Sequence, residues 1–143
     1  MKRKRLSKLA RDKANPKSLY WRNKLIALWS RAIRSRAGYK CERCGVTKRT
    51  NAAHLIPKRV WFLRFDLRNG MCLCPKCHQW DVTGSLDYSA MLFAQWLFQA
   101  SEPTWNNVRT MWMETLSLAN LAMPKRPDWK AEYDRLTKEL SER

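Results

Sequence analysis

The stretch GMCLCPKCHQW, Gly70–Trp80, is the most informative part of this sequence for the fold, because it contains three cysteines followed by a histidine. Two of these cysteines form a CxxC pair, and a second CxxC pair occurs earlier, in CERC at residues 41–44. A CxxC turn presents two thiolates at nearly the separation that tetrahedral zinc requires, and two such turns complete the coordination sphere. The spacing therefore predicts a structural zinc site, with one incidental pair as the alternative. Its predicted ligands are Cys41, Cys44, Cys74 and Cys77.

The fifth cysteine, Cys72, competes with Cys74 for a place in this site, because CLCPKC offers both residues. Cys74 gives the two-residue spacing that matches the first pair, so it is the predicted ligand. Alternate residues of an extended strand point to the same face. We therefore expect Cys72 to lie beneath the zinc site as a small buried residue.

The composition predicts a basic protein that binds a polyanion. The chain has 143 residues, with 29 Lys and Arg against 12 Asp and Glu, and a net charge of +17. That length suits one domain, and that charge favours nucleic acid or an anionic membrane surface as the partner. No apolar run is long enough for a transmembrane helix, and the basic N-terminus lacks the apolar core of a secretory signal. We expect a cytoplasmic location, where cysteines at this spacing bind metal more often than they form disulfides.

The charge is concentrated in the first eighty residues. Residues 1–40 contain fourteen basic residues and one acidic residue, and residues 41–81 contain eight and three. Residues 82–143 contain seven basic and eight acidic residues. We therefore expect the polyanion to contact the N-terminal part, whereas the C-terminal part packs.

The pattern along the chain predicts a flexible basic arm at residues 1–17, which either contacts nucleic acid or serves as a solubilising tail. The remaining residues, 18–143, are expected to form a single domain. Apolar residues recur at helical spacing over residues 18–37, with Ser18 as the predicted N-cap and Gly38 as the predicted stop.

The rest of the domain is expected to combine a metal-organised core with helices. Residues 39–85 contain the cysteine pairs and short apolar runs, which predict short strands, turns and a helix that begins near Cys77 or His78. Residues 86–143 predict three helices, over 86–100, 104–123 and 127–140, with Pro103 as an interruption. The predicted fold class is α+β.

The residues between the two cysteine pairs point to a family. His54 and Asn69 lie between the pairs, and His78 follows the last cysteine, so the order is Cys, Cys, His, Asn, Cys, Cys, His. With CERCG, AAHLIPKR and LRFDLRNGMCLCPKCH, residues 39–81 resemble the HNH, or ββα-metal, endonucleases that carry a four-cysteine zinc site. The layout YWRNKL…CERCG…AAH…RF…N…C..C is also similar to phage recombination endonucleases of the NinG (Rap) type.

The resemblance implies a role for each of the three polar residues. His54 would be the general base that takes a proton from water, which suits an imidazole whose ordinary pKa is near neutrality. Asn69 would orient that histidine or bind the catalytic ion. His78 would be a ligand of this ion, which we expect to be Mg²⁺ or Mn²⁺ in addition to the structural zinc.

One departure from the family concerns the residue before the base. Many HNH enzymes carry Asp or His there as a metal ligand, and this chain has Ala53. The carboxylates that could complete the ligand set are Asp66 and Asp81. Asp81 is favoured because it lies three residues after His78 and could share its helix face.

The predicted function is metal-dependent hydrolysis of DNA by an endonuclease in phage or prophage recombination or DNA processing. Branched DNA as the substrate, the host cytoplasm as the location and other phage DNA-processing proteins as partners follow from the resemblance alone. Acting on a junction would require two sites and hence a homodimer, with an interface in the C-terminal part. The alternative is a non-catalytic zinc-ribbon protein that binds DNA. The predicted DNA contacts are Lys58, Arg59, Arg64, Arg34 and Arg36.

Overall fold

The computed structural model describes residues 7–58, 60–81, 89–117 and 127–143. The fold is α+β, as predicted, with a two-stranded antiparallel sheet and helices on both sides of it in the sequence. No helix in these ranges has the length and apolar character needed to cross a membrane. In chain order the elements are α1 (Lys8–Ala14), α2 (Leu19–Arg36), β1 (Asn51–His54), two 3₁₀ turns (Trp61–Leu63 and Leu67–Asn69), β2 (Gly70–Leu73), α3 (Pro75–Asp81), α4 (Ser89–Ala100), α5 (Glu102–Ser117) and α6 (Trp129–Ser141).

The described residues group into two compact units. The first takes its residues from Met1–Trp29 and Met123–Arg143, and the second from Ser30–Ala122. The first unit is helical and consists of α1, the beginning of α2, and α6. The second contains the end of α2, the hairpin, and α3, α4 and α5.

Helix α1 lies within residues 1–17, the segment predicted to be a flexible basic arm. The Ser7 hydroxyl oxygen caps the helix by accepting from the Ala10 N–H at 3.2 Å. The Trp21 indole donates to the Lys13 carbonyl at 3.0 Å, and the Ser18 hydroxyl donates to the Asp12 carbonyl at 2.6 Å. These contacts come from the beginning of α2, so the ordering of α1 depends on tertiary structure. Ser18 thus binds the end of α1 with the hydroxyl that was expected to cap α2.

Helix α6 completes the first unit. Its N-cap, Asp128, accepts from the Ala131 N–H at 2.9 Å. The Lys130 N–H donates to the Pro16 carbonyl at 3.1 Å, and the Tyr133 ring lies 5.5 Å from the Trp21 ring. A backbone contact therefore joins α6 to the segment between α1 and α2, and an aromatic contact joins it to α2.

The predicted start and stop signals are partly confirmed. Helix α2 ends at the expected glycine, because Gly38 adopts φ +58°, a conformation that glycine reaches without steric cost. Helix α3 begins at Pro75, earlier than expected, since proline is well tolerated at the first helical position. Pro103 lies in the first turn of α5 and does not interrupt it, for the same reason.

The hairpin and the cysteine pairs share one hydrophobic core in the second unit. Strand β1 pairs antiparallel with β2, so that Ala53 faces Met71 and His54 faces Gly70. A cluster of buried residues packs on the Ala53 face of the hairpin, with Trp96, Trp105 and Val108 against it. The core therefore joins the hairpin to α3, α4 and α5. Its buried members are Cys41, Ala53, Met71, Leu73, Cys74, Cys77 and Leu97.

Candidate metal centre and nuclease site

The four predicted zinc ligands form a cluster. The sulfur atoms of Cys41, Cys44, Cys74 and Cys77 all lie within 4.8 Å of one another, and those of Cys44 and Cys74 are 3.7 Å apart. Thiolates at about 2.3 Å from a tetrahedral zinc ion lie about 3.8 Å from one another. The donor set and its spacing fit structural zinc.

Each cysteine pair is held by a local turn. In the first, the Cys41 N–H donates to the Val46 carbonyl and the Gly45 N–H donates to the Cys41 carbonyl, both at 2.8 Å. Gly45 adopts φ +75°, which a side chain would strain. In the second, Cys74 precedes α3, and its carbonyl accepts from the His78 N–H at 2.9 Å. Local hydrogen bonds therefore position both pairs.

The Cys41 thiol has a lowered pKa and therefore ionises more readily than an ordinary cysteine. Burial raises its pKa, but N–H groups of Cys44, Cys74 and Arg43 outweigh this effect and lower the pKa to about 6. Burial and the neighbouring thiols raise the pKa of Cys77 instead. A bound zinc ion would offset the repulsion among four thiolates and deprotonate all of them.

Cys72 lies outside the four-cysteine cluster, as expected, and is fully buried in β2. Its N–H donates to the Glu42 carboxylate at 2.5 Å, and its carbonyl accepts from the Glu42 N–H at 2.8 Å. Glu42 lies between the two cysteines of the first pair, so these bonds join that turn to the outer edge of β2. No local pattern in the sequence indicates this role of Glu42.

His54 lies at the end of β1, with its Nε2 atom 2.9 Å from the Arg64 carbonyl oxygen. A carbonyl only accepts hydrogen bonds, so Nε2 carries the hydrogen and Nδ1 is the unprotonated nitrogen. Burial lowers the pKa of His54, and the positive charges of Arg64 and Lys58 lower it further. The imidazole is therefore neutral at pH 7 and able to accept a proton at Nδ1.

Ala53, the residue before His54, faces the opposite side of the strand. Ala53 is 1% exposed and packs in the hydrophobic cluster beside the cysteines. Because neighbouring residues in a strand point to opposite faces, residue 53 and His54 do not share a surface. A carboxylate at this position would have to be buried among apolar side chains, which is costly without a partner.

Asn69 is fully buried and connects the two ends of the loop between the strands. Its Oδ1 accepts from the Ile56 N–H at 2.6 Å, and its Nδ2 donates to the carbonyls of Ile56 and Leu63 at 3.0 and 2.9 Å. Leu63 precedes Arg64, whose carbonyl accepts from His54. The amide thus orients the loop whose Arg64 carbonyl binds His54, and a ligand role for Asn69 stays a prediction.

We expect Asn69→Ala to lower the free energy of unfolding by about 3 kcal/mol, because three buried backbone groups would lose their partner. Urea denaturation of the zinc-loaded protein measures this change. The control is Asn51→Ala in the same hairpin, where the side chain is exposed and the expected change is within about 0.5 kcal/mol. Equal stability of the two variants would contradict this role of the buried amide.

Asp66, one of the two candidate carboxylate ligands, forms an ion pair. Its carboxylate lies 2.7 Å from the Arg68 guanidinium, which also contacts Glu114 at 3.2 Å. Asp66 also accepts from the Arg68 N–H at 2.8 Å. Glu114 lies on α5, so this network connects the loop between the two strands to that helix. No local pattern in the sequence indicates this connection.

His78 lies on α3, half-buried, and burial lowers its pKa. Its charge also acts on His54, so the two histidines are within electrostatic reach of each other. Asp81 is the last residue of α3, and its side chain lies outside the described residues. Within the described ranges, the four-cysteine cluster is the only group of three or more His, Cys, Asp or Glu residues that could hold a metal. The ligand set of a catalytic ion therefore stays a prediction.

Arg36, predicted to contact DNA, has a structural role in the second unit. Its guanidinium donates to the carbonyls of Leu67 and Gly70 at 2.8 and 2.6 Å. Gly70 is the residue paired with His54, so Arg36 supports the outer edge of the hairpin at the level of His54. These carbonyls lie more than thirty residues from Arg36, and no local pattern indicates the contact.

The other predicted DNA contacts are placed differently. Lys58 is exposed, and Arg64 is half-buried with its guanidinium 5.4 Å from the Phe65 ring centroid. The Arg34 guanidinium lies 5.7 Å from the Tyr39 ring centroid. Arg59 lies outside the described residues. Lys58 and Arg64 both act electrostatically on His54, so the structure brings these two together with the histidine.

Comparison with known proteins identifies the segment that carries this site. Residues 41–81 match the family model described as HNH endonuclease. No curated protein and no solved structure matches the chain significantly. The matched residues contain both cysteine pairs and all three polar residues between and after them. The match and the cysteine cluster together fit a zinc-binding HNH nuclease segment.

Proposed function

We propose that this protein is a metal-dependent DNA endonuclease and that residues 41–81 hydrolyse phosphodiester bonds. The observation that carries the proposal is the 2.9 Å contact between His54 Nε2 and the Arg64 carbonyl oxygen, within the segment that matches the HNH endonucleases. With Nε2–H bound to the Arg64 carbonyl, Nδ1 is the nitrogen that can accept a proton. The pKa of His54 lies below its ordinary value because of burial, so the basic form predominates at neutral pH.

In the proposed reaction, His54 Nδ1 takes a proton from water as the water oxygen forms a bond to phosphorus. The bond between phosphorus and the 3′ oxygen breaks, and the 3′ oxygen leaves with the electron pair. A divalent ion, Mg²⁺ or Mn²⁺, supplies charge relief to the phosphate and to the leaving oxygen when it is bound. His78 and Asp81 are the proposed ligands of this ion, and Asn69 positions the loop.

Positive charge beside the base supports a phosphate substrate. Lys58 and Arg64 both lower the pKa of His54 through their charges, which places them within electrostatic reach of the imidazole. A phosphodiester held by these side chains would lie near the proton acceptor. We assign Lys58 and Arg64 to phosphate binding, with Arg59 as a further candidate.

The pH dependence of cleavage tests the state of His54. A general base must be unprotonated to act, and the pKa of His54 lies below its ordinary value because burial disfavours the imidazolium. We expect the rate constant to be nearly constant from about pH 7 to 8 and to fall about tenfold per pH unit once the pH is below that pKa. Single-turnover cleavage at saturating metal ion measures this profile. A rate that increases on acidification would contradict the role of His54 as base.

The proposed function is tested directly with DNA substrates. Supercoiled plasmid, linear duplex and a four-way junction are each incubated with the zinc-loaded protein and with Mg²⁺ or Mn²⁺. Divalent-dependent nicking or cleavage of any of them is expected. A preference for the junction would support the further proposals of branched DNA, a homodimer and a phage role in recombination in the host cytoplasm. Absence of cleavage with every ion and substrate would overturn the proposal.

A second candidate function is a zinc-ribbon protein that binds DNA without catalysis. Ala53 favours it, because the family's usual ligand is missing and the position faces the hydrophobic cluster. This protein would bind DNA with the same salt dependence but would show no difference between the parent and His54→Ala in a cleavage assay.

A further inference from the structure

The acidic residues of α6 are neutralised within the helix itself. Four carboxylates pair with basic residues three or four positions away, and Asp128 caps the N-terminus. Such spacing places both partners on one helix face. Helix α6 therefore contributes little net charge to the first unit. The ion pairs are Lys130–Asp134, Glu132–Arg135, Arg135–Glu139, Lys138–Glu142 and Glu139–Arg143.

The basic residues of α1, of the beginning of α2 and of the segment between these helices lack such neutralisation. Five of them are exposed, and none forms an ion pair with an acidic residue in the described parts of the chain. Asp12 is the only acidic residue in the first forty positions. These residues, here called the α1–α2 basic surface, are Lys8, Arg11, Lys13, Lys17 and Lys24.

Two of these charges converge on one aromatic ring. The ammonium groups of Lys13 and Lys24 lie 5.8 and 5.7 Å from the centroid of the Tyr20 ring. Lys13 is on α1 and Lys24 is on α2, so the ring brings charges of both helices together. The Trp21 indole bond to the Lys13 carbonyl holds this end of α1 in place. Each of these ammonium groups can attract a phosphate, so both helices offer a positive charge beside the Tyr20 ring.

We propose that the α1–α2 basic surface binds the phosphate backbone of duplex DNA and anchors the substrate through residues outside the segment that matches the HNH endonucleases. This inference rests on the proposed function, because that function identifies DNA as the ligand. It does not require that the protein cleaves DNA. Ordered helices present the charges at fixed positions, so less conformational entropy is lost on binding than with a flexible arm. Anionic lipid is the other polyanion that a basic surface could bind, and the nuclease match of residues 41–81 favours DNA.

The test compares charge-matched variants of the full chain, each loaded with zinc. One double variant is Lys13→Gln with Lys24→Gln, and a second is Lys8→Gln with Arg11→Gln. The control is Arg135→Gln with Lys138→Gln, which removes the same formal charge from the same unit at residues that are already paired. Glutamine is a good helix former, so each exposed helix should be retained. Circular dichroism checks this.

The measurement is the affinity for a short duplex at several salt concentrations, without added Mg²⁺ or Mn²⁺. Each phosphate contact contributes about 0.9 to the slope of log affinity against log salt, so a double variant should lower the slope by up to about 1.8. The α6 control should keep the parent slope. Equal slopes for all variants would overturn the proposal, as would equal reductions in the test and control variants. Binding to anionic phosphatidylserine vesicles is measured with the same variants. A loss confined to vesicle binding would also overturn the proposal.

The same samples distinguish this inference from the proposed function. Failure of the nuclease proposal would appear as absence of cleavage by the parent, whatever the slopes. Failure of the anchoring surface would appear as unchanged slopes in a parent that does cleave DNA. Because binding is measured without the catalytic ion, neither result depends on the other.

Discussion

Replacing His54 by alanine is expected to reduce the cleavage rate by about 100- to 10,000-fold, because general-base assistance is typically worth that much. Zinc content should stay near the parent value, because the predicted zinc ligands are the four clustered cysteines and His54 is not one of these ligands. DNA affinity should also stay near the parent value, because the imidazole is neutral at pH 7 and contributes no charge to phosphate binding. Single-turnover cleavage of plasmid and branched DNA, zinc analysis and a binding assay measure the three quantities.

His78→Ala provides the matched comparison, because it also removes a histidine from the same segment. We expect it to be inactive for a different reason, namely weak binding of the catalytic ion. Raising the Mg²⁺ or Mn²⁺ concentration should partly restore cleavage by His78→Ala and should hardly affect His54→Ala. Asp81→Asn should show a milder form of the same metal-dependent defect if Asp81 is a ligand, and parent behaviour if it is not.

Two outcomes would contradict the roles assigned to the histidines. Full cleavage by His54→Ala would exclude it as the base and would favour the non-catalytic DNA-binding protein. Equal restoration of both variants by metal would show that His54, too, acts through the ion.

Loss of the zinc cluster is expected to have the largest effect on stability. Structural zinc contributes an apparent 10–16 kcal/mol in small zinc domains, roughly the whole stability of a domain. Cys41, Cys74 and Cys77 also belong to the buried cluster that contains Leu73 and Leu97, so losing the metal would disrupt the core as well as the turns. Cys74→Ser should therefore abolish tight zinc binding and unfold the hairpin.

Cys72→Ser is the matched control for Cys74→Ser, because both residues are buried cysteines in neighbouring positions of CLCPKC. It should keep about one zinc ion per chain, since its side chain lies outside the cluster. Metal analysis after extensive dialysis and thermal unfolding measure both variants. Zinc retained by Cys74→Ser but lost by Cys72→Ser would show that the wrong cysteine had been assigned.

The features that depend on local spacing can be predicted from the sequence alone. Two CxxC pairs predicted the cysteine cluster, because two thiolates separated by two residues meet within one turn. Helical periodicity and Gly38 predicted α2 and its end, since both signals act within a few residues. The order of cysteines, histidines and asparagine indicated a resemblance to the HNH endonucleases, and residues 41–81 match the family model of that description.

The hydrogen bonds that support the site are seen only in the tertiary structure. The amide of Asn69 binds Ile56 and Leu63, and Arg36 binds carbonyls more than thirty residues away. Helix α1 is held by side chains of the following helix, so its segment alone resembles a flexible arm. Side chains that satisfy distant backbone groups leave no periodic signal in the sequence, because their partners are set by the path of the chain.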